Sequence, residues 1–156
     1  MKNTLIGFVS GVALTAVVGW NVMPSMMLKE AKSPYSVEDT VAKIKTNAQA
    51  MGWVVPSVQP LHKSIKKHSG GKHLIPPVML VNLCNANHAY KALEFDQNKK
   101  ISVFMPCTIS VYQKTDGSTW VGYMNAELLG DMFGGEIAEV MSEVGPDQQQ
   151  MIRFVR

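Results

Sequence analysis

Charge is scarce in this chain. Charged residues make up 17% of its 156 positions, against about a quarter in an ordinary soluble protein. The shortage has a local cause: no charged residue stands between Lys2 and Lys29. Outside that stretch the composition is that of a folded domain, and 46% hydrophobic content excludes disorder for most of the chain. Chemistry-bearing motifs are also few. There is no P-loop, G-x-G-x-x-G, G-x-S-x-G, H-E-x-x-H or C-x-x-C pattern, so nucleotide, serine-hydrolase, zinc-hydrolase, thioredoxin-type and c-type haem signatures are all lacking. The sequence therefore leans away from an enzyme. With two cysteines the chain is no disulfide-dense scaffold. Its length holds one domain and an appendage.

The appendage is the uncharged run. Leu5 to Met23 forms a stretch of 19 apolar or small residues, enough at 1.5 Å per residue to cross about 30 Å of hydrocarbon. Lys2 before it favours a cytoplasmic N-terminus, which puts the remainder outside the cytoplasm. The run exceeds a signal-peptide core, and its end offers no A-x-A cleavage pattern. The expectation is an uncleaved single-pass anchor over residues 1–25 in the inner (cytoplasmic) membrane, with a periplasmic domain at 26–145 and a tail at 146–156 with room for a short helix. Gly7, Gly11, Thr15 and Gly19 recur every four residues and share one helix face. Small residues so placed admit a second helix, in a homodimer or an integral membrane partner. Glycine is also simply common in membrane spans.

The domain reads as alternating strands and helices. A first strand is expected near Met26–Ala31. Ser36 caps a helix with Glu38 and Asp39 in its first turn, and Val37, Val41, Ile44, Ala48 and Met51 recur at helical spacing up to Gly52. Trp53–Val58 reads as a strand that Pro56 confines to an edge or bulge. Leu61–His68 is a short basic helix or loop, Val78–Cys84 a buried strand, and Asn85 the cap of a helix through Leu93. Ile101–Tyr112 reads as one long strand containing Pro106, followed by the Thr115-Asp116-Gly117 turn and a return strand at Thr119–Met124. A helix over 126–144 is expected to bend at Gly134-Gly135 and stop at Gly145-Pro146. The fold class is α+β: a two-layer sandwich, mainly antiparallel sheet with helices on one face, plus the N-terminal transmembrane helix.

Several segments together carry a family resemblance. Ser33-Pro34-Tyr35-Ser36-Val37-Glu38-Asp39-Thr40, Leu83-Cys84-Asn85 with Ala89-Tyr90, and Phe104-Met105-Pro106-Cys107 stand in register with Val111-Tyr112, Asp116-Gly117 and Val121–Met124. In order and spacing they resemble the bacterial and archaeal domain-of-unknown-function 302 family, over about residues 26–145. The resemblance implies an α+β dimer, and for some members haem binding outside the cytoplasm. It places His62 where many members carry a histidine, and Cys84 where many carry glycine.

Candidate chemistry follows. His62 is the metal ligand expected if haem binds, since an imidazole nitrogen can reach iron from an apolar pocket. Lys63, Lys66 and Lys67 beside it can meet propionates, lipid headgroups or an acidic partner. The competing reading is a solvated basic face. No acid stands between Asp39 and Glu94, whereas acids dominate from Glu94 to Asp147. Nucleic acid is an improbable partner for an extracytoplasmic domain without stacking aromatics. Cys84 and Cys107 are open to three readings: a disulfide, two buried thiols, or a redox or metal-ligand pair. The functional expectation is a membrane-anchored extracytoplasmic binding module for a small ligand or redox cofactor, haem first, as a dimer. The alternatives are a non-catalytic accessory subunit docked through its membrane helix, and a thiol redox protein using Cys84 and Cys107.

Overall fold

The computed structural model describes residues 23–105 and 107–155. The expected membrane span and its small-residue face (Gly7, Gly11, Thr15, Gly19) lie outside the described residues, as does Pro106. Among the described residues, no helix is long and apolar enough to cross a membrane.

The fold is α+β, built on a five-stranded antiparallel sheet. After a helical turn at residues 23–27 come β1 (Leu28–Ser33), α1 (Val37–Ala50), β2 (Val54–Pro60) and α2 (Leu61–His68). Then follow β3 (Val78–Cys84), α3 (Ala86–Leu93), a 3-10 segment (Asp96–Phe104), β4 (Cys107–Gln113), β5 (Thr119–Met124), α4 (Ala126–Phe133) and α5 (Gly135–Met151). The strand order is β1-β5-β4-β3-β2. β1 therefore lies at one edge and β2 at the other.

Alternation along the central strands decides which face is covered. Val81, Leu83, Ile109, Val111 and Val121 are fully buried and share one core with Val37, Val41, Ile44 and Ala48 of α1 and Val140, Met141 and Val144 of α5. The 3.6-residue spacing in α1 thus meets the two-residue spacing of the sheet. Ser36 caps α1 by accepting from the Asp39 N–H at 3.1 Å, and Asn85 caps α3 by accepting from the Asn87 N–H at 3.0 Å. β2 is an edge strand whose pairing with β3 slips between Val54 and Ser57, which is where Pro56, lacking an N–H, is tolerated.

Three segments differ from the sequence reading. β1 starts two residues later than expected, at Leu28. Residues 101–104 are not strand but the end of the 3-10 segment. The last rung between β3 and β4 joins Leu83 to Cys107, and β3 ends one residue on, so earlier residues have no partner to ladder against. Ile101 is buried while Val103 is 82% exposed, an arrangement that two inward-facing strand positions would not give. Finally, Gly145-Pro146 does not stop the last helix. α5 runs to Met151 with Pro146 inside it. An interior proline costs about 3 kcal/mol, but Val144, Gln148, Met151 and Ile152 are buried on either side of it, and each large apolar side chain so buried returns about 1.5–3 kcal/mol. The expected bend is instead a clean break: Gly134, at φ 67°, ends α4 and begins α5.

Candidate functional site

The expected ligand-binding side chains, His62, Lys63, Lys66 and Lys67, all lie on α2. His62 opens α2, next to the β2 edge. Its Nδ1 sits between the N–H (3.2 Å) and the carbonyl (3.0 Å) of Val78 on β3. If Nδ1 accepts from the N–H, the ring proton is on Nε2, which then has no lone pair for iron. If Nδ1–H donates to the carbonyl, Nε2 keeps its lone pair. Either way one nitrogen is committed to holding α2 on β3. Lys63, Lys66 and Lys67 are exposed on the same helix. A haem needs an apolar slot at its ligand. His62 is only half-buried, and none of the three clefts described below is lined by it or by these lysines. The described residues around His62 therefore do not fit a haem within one chain.

A larger concavity lies on the sheet face away from the core, toward the β1 edge. It measures about 640 Å³, within the 300–1,000 Å³ range of small-molecule sites. Thr108, Ser110 and Tyr112 of β4 and Gly122 and Met124 of β5 form its floor, with Leu28 and Glu30 of β1. Val103, Phe104 and Met105, from the end of the 3-10 segment, form its wall. Because strand residues alternate, the positions facing this cleft are those between the core positions Ile109, Val111 and Val121. Gly122 has a specific part: a Cβ there would meet Tyr112 Cε1 at 3.3 Å, so the bare backbone lets the ring lie close over β5.

The polar end of the cleft is anchored by Glu30. It accepts from the Tyr112 hydroxyl and from Lys114 Nζ at 3.0 Å. The Tyr112 bond first, and Lys114 second, hold the Glu30 carboxyl below the usual carboxylate range. Burial first, and Glu30 second, push the Tyr112 phenol up to about 12. The phenol is thus a fixed donor at neutral pH.

A second, small cleft of about 50 Å³ brings the two cysteines together. Cys84, at the end of β3, and Cys107, at the start of β4, line it with Trp53, His88, Met105 and Met141. Both carry free thiols. Burial first, and Cys84 second, raise the Cys107 pKa, which keeps that thiol protonated and weakly nucleophilic. Phe104 and Met105 line both clefts and separate them.

Around His88 lies a polar network that the sequence reading did not find. Trp53 Nε1 donates to Asp147 Oδ2 at 2.8 Å. His88 Nε2 lies 3.6 Å from the same oxygen, and His88 Nδ1 lies 3.3 Å from Glu143 Oε2. Nδ1 is buried and that contact lacks hydrogen-bond alignment. Lys91 Nζ reaches Glu143 Oε1 at 3.1 Å. Part of the signal was local, since His88 and Lys91 are three apart on one helix, but Glu143 and Asp147 share a helix only because Gly145-Pro146 does not end it. Among the described residues, no group of three or more His, Cys, Asp or Glu is placed to hold a metal ion.

The comparisons with known proteins bear on fold. Residues 29–155 match the family model "Domain of unknown function DUF302". A solved structure, the uncharacterized conserved protein DUF302 from Bacillus stearothermophilus, superposes with a TM-score of 0.72 at 19% identity, covering 85% of this chain and 100% of that one. At that identity the likeness shows the fold alone. No protein with a curated description matches the chain.

Proposed function

The chain belongs to the DUF302 family, and from that premise we propose that it is a membrane-anchored extracytoplasmic binding module, dimeric, holding a small and largely apolar ligand on the open face of its sheet. One observation carries the reading: the 640 Å³ cleft has apolar walls from Leu28, Val103, Phe104 and Met124 and a few polar groups gathered at one place. That combination suits orientation of a ligand by few hydrogen bonds and retention by apolar contact. The anchor and the compartment rest on the uncharged Leu5–Met23 run.

Haem is the first compound to test, with the sheet-face cleft and not His62 as its seat. Haem is titrated into the native chain, Ser110→Trp and His62→Ala, with the Soret band as the signal. A shifted band in the native chain that Ser110→Trp abolishes supports the cleft. A band lost only in His62→Ala moves the seat to α2. No band in any of them removes haem, and other flat apolar compounds follow on the same variants.

A second reading is a dithiol–disulfide pair, favoured by the shared lining of the small cleft by Cys84 and Cys107. Its test is the number of thiols in the chain purified from its own membranes without reductant. The accessory-subunit reading keeps the same anchor, with Gly7, Gly11, Thr15 and Gly19 as its docking face. Native purification in mild detergent separates it from the others: a particle no heavier than a dimer counts against it.

A further inference from the structure

We propose that the apolar surface around Phe104 lies on the lipid bilayer, so that the domain rests on the membrane instead of standing off from it. The proposal depends on the anchor reading above. Its basis is a contiguous group of exposed side chains that a water-facing domain has no reason to gather. Leu28 is 68% exposed, Val103 82% and Phe104 41%. The Phe104 ring meets the Phe133 ring edge-on, with centroids 6.1 Å apart, and Phe133 is itself exposed. Beside them a cleft of about 530 Å³ is lined by Met23, Pro24, Met27, Leu28, Phe104 and Met124, with no charged residue. Exposed apolar surface of this kind marks a membrane or protein contact.

The path of the chain selects the bilayer as the occupant. The apolar Leu5–Met23 run, read as the anchor, ends at Met23, and Met23 itself lines the cleft. From Met23 to Leu28 the chain advances five residues, which span at most about 17 Å even when extended. A run that crosses the hydrocarbon and ends at Met23 therefore delivers this surface directly to the headgroup region. The charges nearby fit that depth. Glu30 is engaged by Lys114 and Tyr112, and Asp96 by Lys99, while Lys29 lines the adjoining sheet-face cleft, suited to an anionic headgroup. The basic helix α2 follows β2, at the opposite sheet edge from β1, four strand spacings or about 19 Å away, so the apolar surface and the lysine-rich helix are separate regions of the domain. The ligand cleft shares Leu28, Phe104 and Met124 with this surface, so it opens at the bilayer, from which an apolar ligand would enter.

The test uses the full chain in vesicles at low protein-to-lipid ratio. In a Cys84→Ala/Cys107→Ala background, a bimane label is placed singly by Met23→Cys, Val103→Cys and Lys67→Cys. Quenching by a nitroxide on the lipid acyl chain is compared with quenching by aqueous iodide. The proposal expects strong lipid quenching at positions 23 and 103 and only iodide quenching at 67. Lipid quenching at 23 but not at 103 upholds the anchor and overturns the docking. A label at 103 shielded from both quenchers means a second protein copy covers the surface, which also overturns it. Lipid quenching at 67 but not at 103 reverses the orientation and overturns it. No lipid quenching at 23 removes the anchor and the proposal together. Hydroxyl-radical footprinting reads the unsubstituted chain: in vesicles Phe104 and Phe133, 41% and 44% exposed, must label less than the exposed Tyr90 once each rate is scaled by exposure and intrinsic side-chain reactivity. The reverse order overturns the proposal without any variant having to fold.

Discussion

Trp53 and Asp147, 94 residues apart in the chain, are joined by an indole N–H to carboxylate hydrogen bond of 2.8 Å. Trp53 is 4% exposed, so the bond ties the entry to β2 onto α5 at the edge of the core. Removing a hydrogen bond to a charged group costs about 1.5–3 kcal/mol. Trp53→Phe keeps the apolar contact and loses the donor, so a loss near the lower end of that range is expected in urea unfolding. Asp147→Asn should cost less, because its amide oxygen still accepts. Equal stability of Trp53→Phe and the native chain would show that the bond contributes nothing net.

The Glu30–Tyr112 pair predicts a response at both ends of the pH scale. Tyr112 has a folded pKa raised to about 12 from 10.0. A raised pKa stabilises the fold fully below the unfolded value, and that contribution is lost as pH rises from about 10 through about 12. Glu30 is lowered from 4.5. Its contribution is present above the unfolded value and is lost as pH falls through the folded one. In a phenolate absorbance titration Tyr112→Phe should remove the last tyrosine to ionise. Glu30→Gln should bring that phenol down in part, since burial persists as the larger cause. A Tyr112→Phe titration curve with the same late phase would contradict the assignment.

Gly130 marks the closest approach of α4 to α5. A Cβ added there would stand 2.8 Å from Met141 Cβ and 3.2 Å from Ala138 Cα. These atoms belong to or adjoin the α5 backbone and cannot swing aside. Gly130→Ala is a better helix former by about 1 kcal/mol, yet overpacking of this kind costs about 1–3 kcal/mol. A net destabilisation is expected in thermal unfolding. A rise in Tm would mean that the two helices separate freely.

Cys107 should be slow to alkylate. Its thiol is raised by burial and by Cys84, and the thiolate is the reactive form. In the reduced native chain, iodoacetamide should modify Cys107 more slowly than a free model thiol, with the rate still climbing above the usual cysteine pKa. Cys84→Ala should relieve the smaller part of the shift and speed the reaction modestly. Rapid modification of Cys107 at neutral pH would refute the buried-thiol description and strengthen the redox reading.

How much could be read in advance depended on how local each signal was. The α1 spacing, the Ser36 and Asn85 caps, and strands β3 and β5 were legible, because a helix period, a cap and an alternating or continuous apolar run are written within about ten residues. The 3-10 segment was not. Ile101 and Val103 have strand propensity, but a strand needs a partner, and β3 ends before it can supply one. Pro146 was misleading for the complementary reason: a helix-breaking residue yields when buried side chains on both sides hold the helix in place. At the candidate site, His62 was located correctly in a basic helix, but its bond to Val78 joins residues 16 apart. The convergence of Cys84, Cys107 and His88 on one cleft required the β3–β4 register.

By itself the sequence determined the α+β class, most element positions and the sharp division between an uncharged first segment and a folded remainder. These follow from local period and composition, which act through near neighbours and need no knowledge of what is distant. The tertiary structure decided where apolar surface is left over. Strand order put β1 beside β5 and far from β2, and so separated the basic α2 from the apolar surface around Phe104. It also left one face of the sheet open as a cleft. Which side chains remain uncovered is settled only when every element competes for the same core, and that competition is long-range.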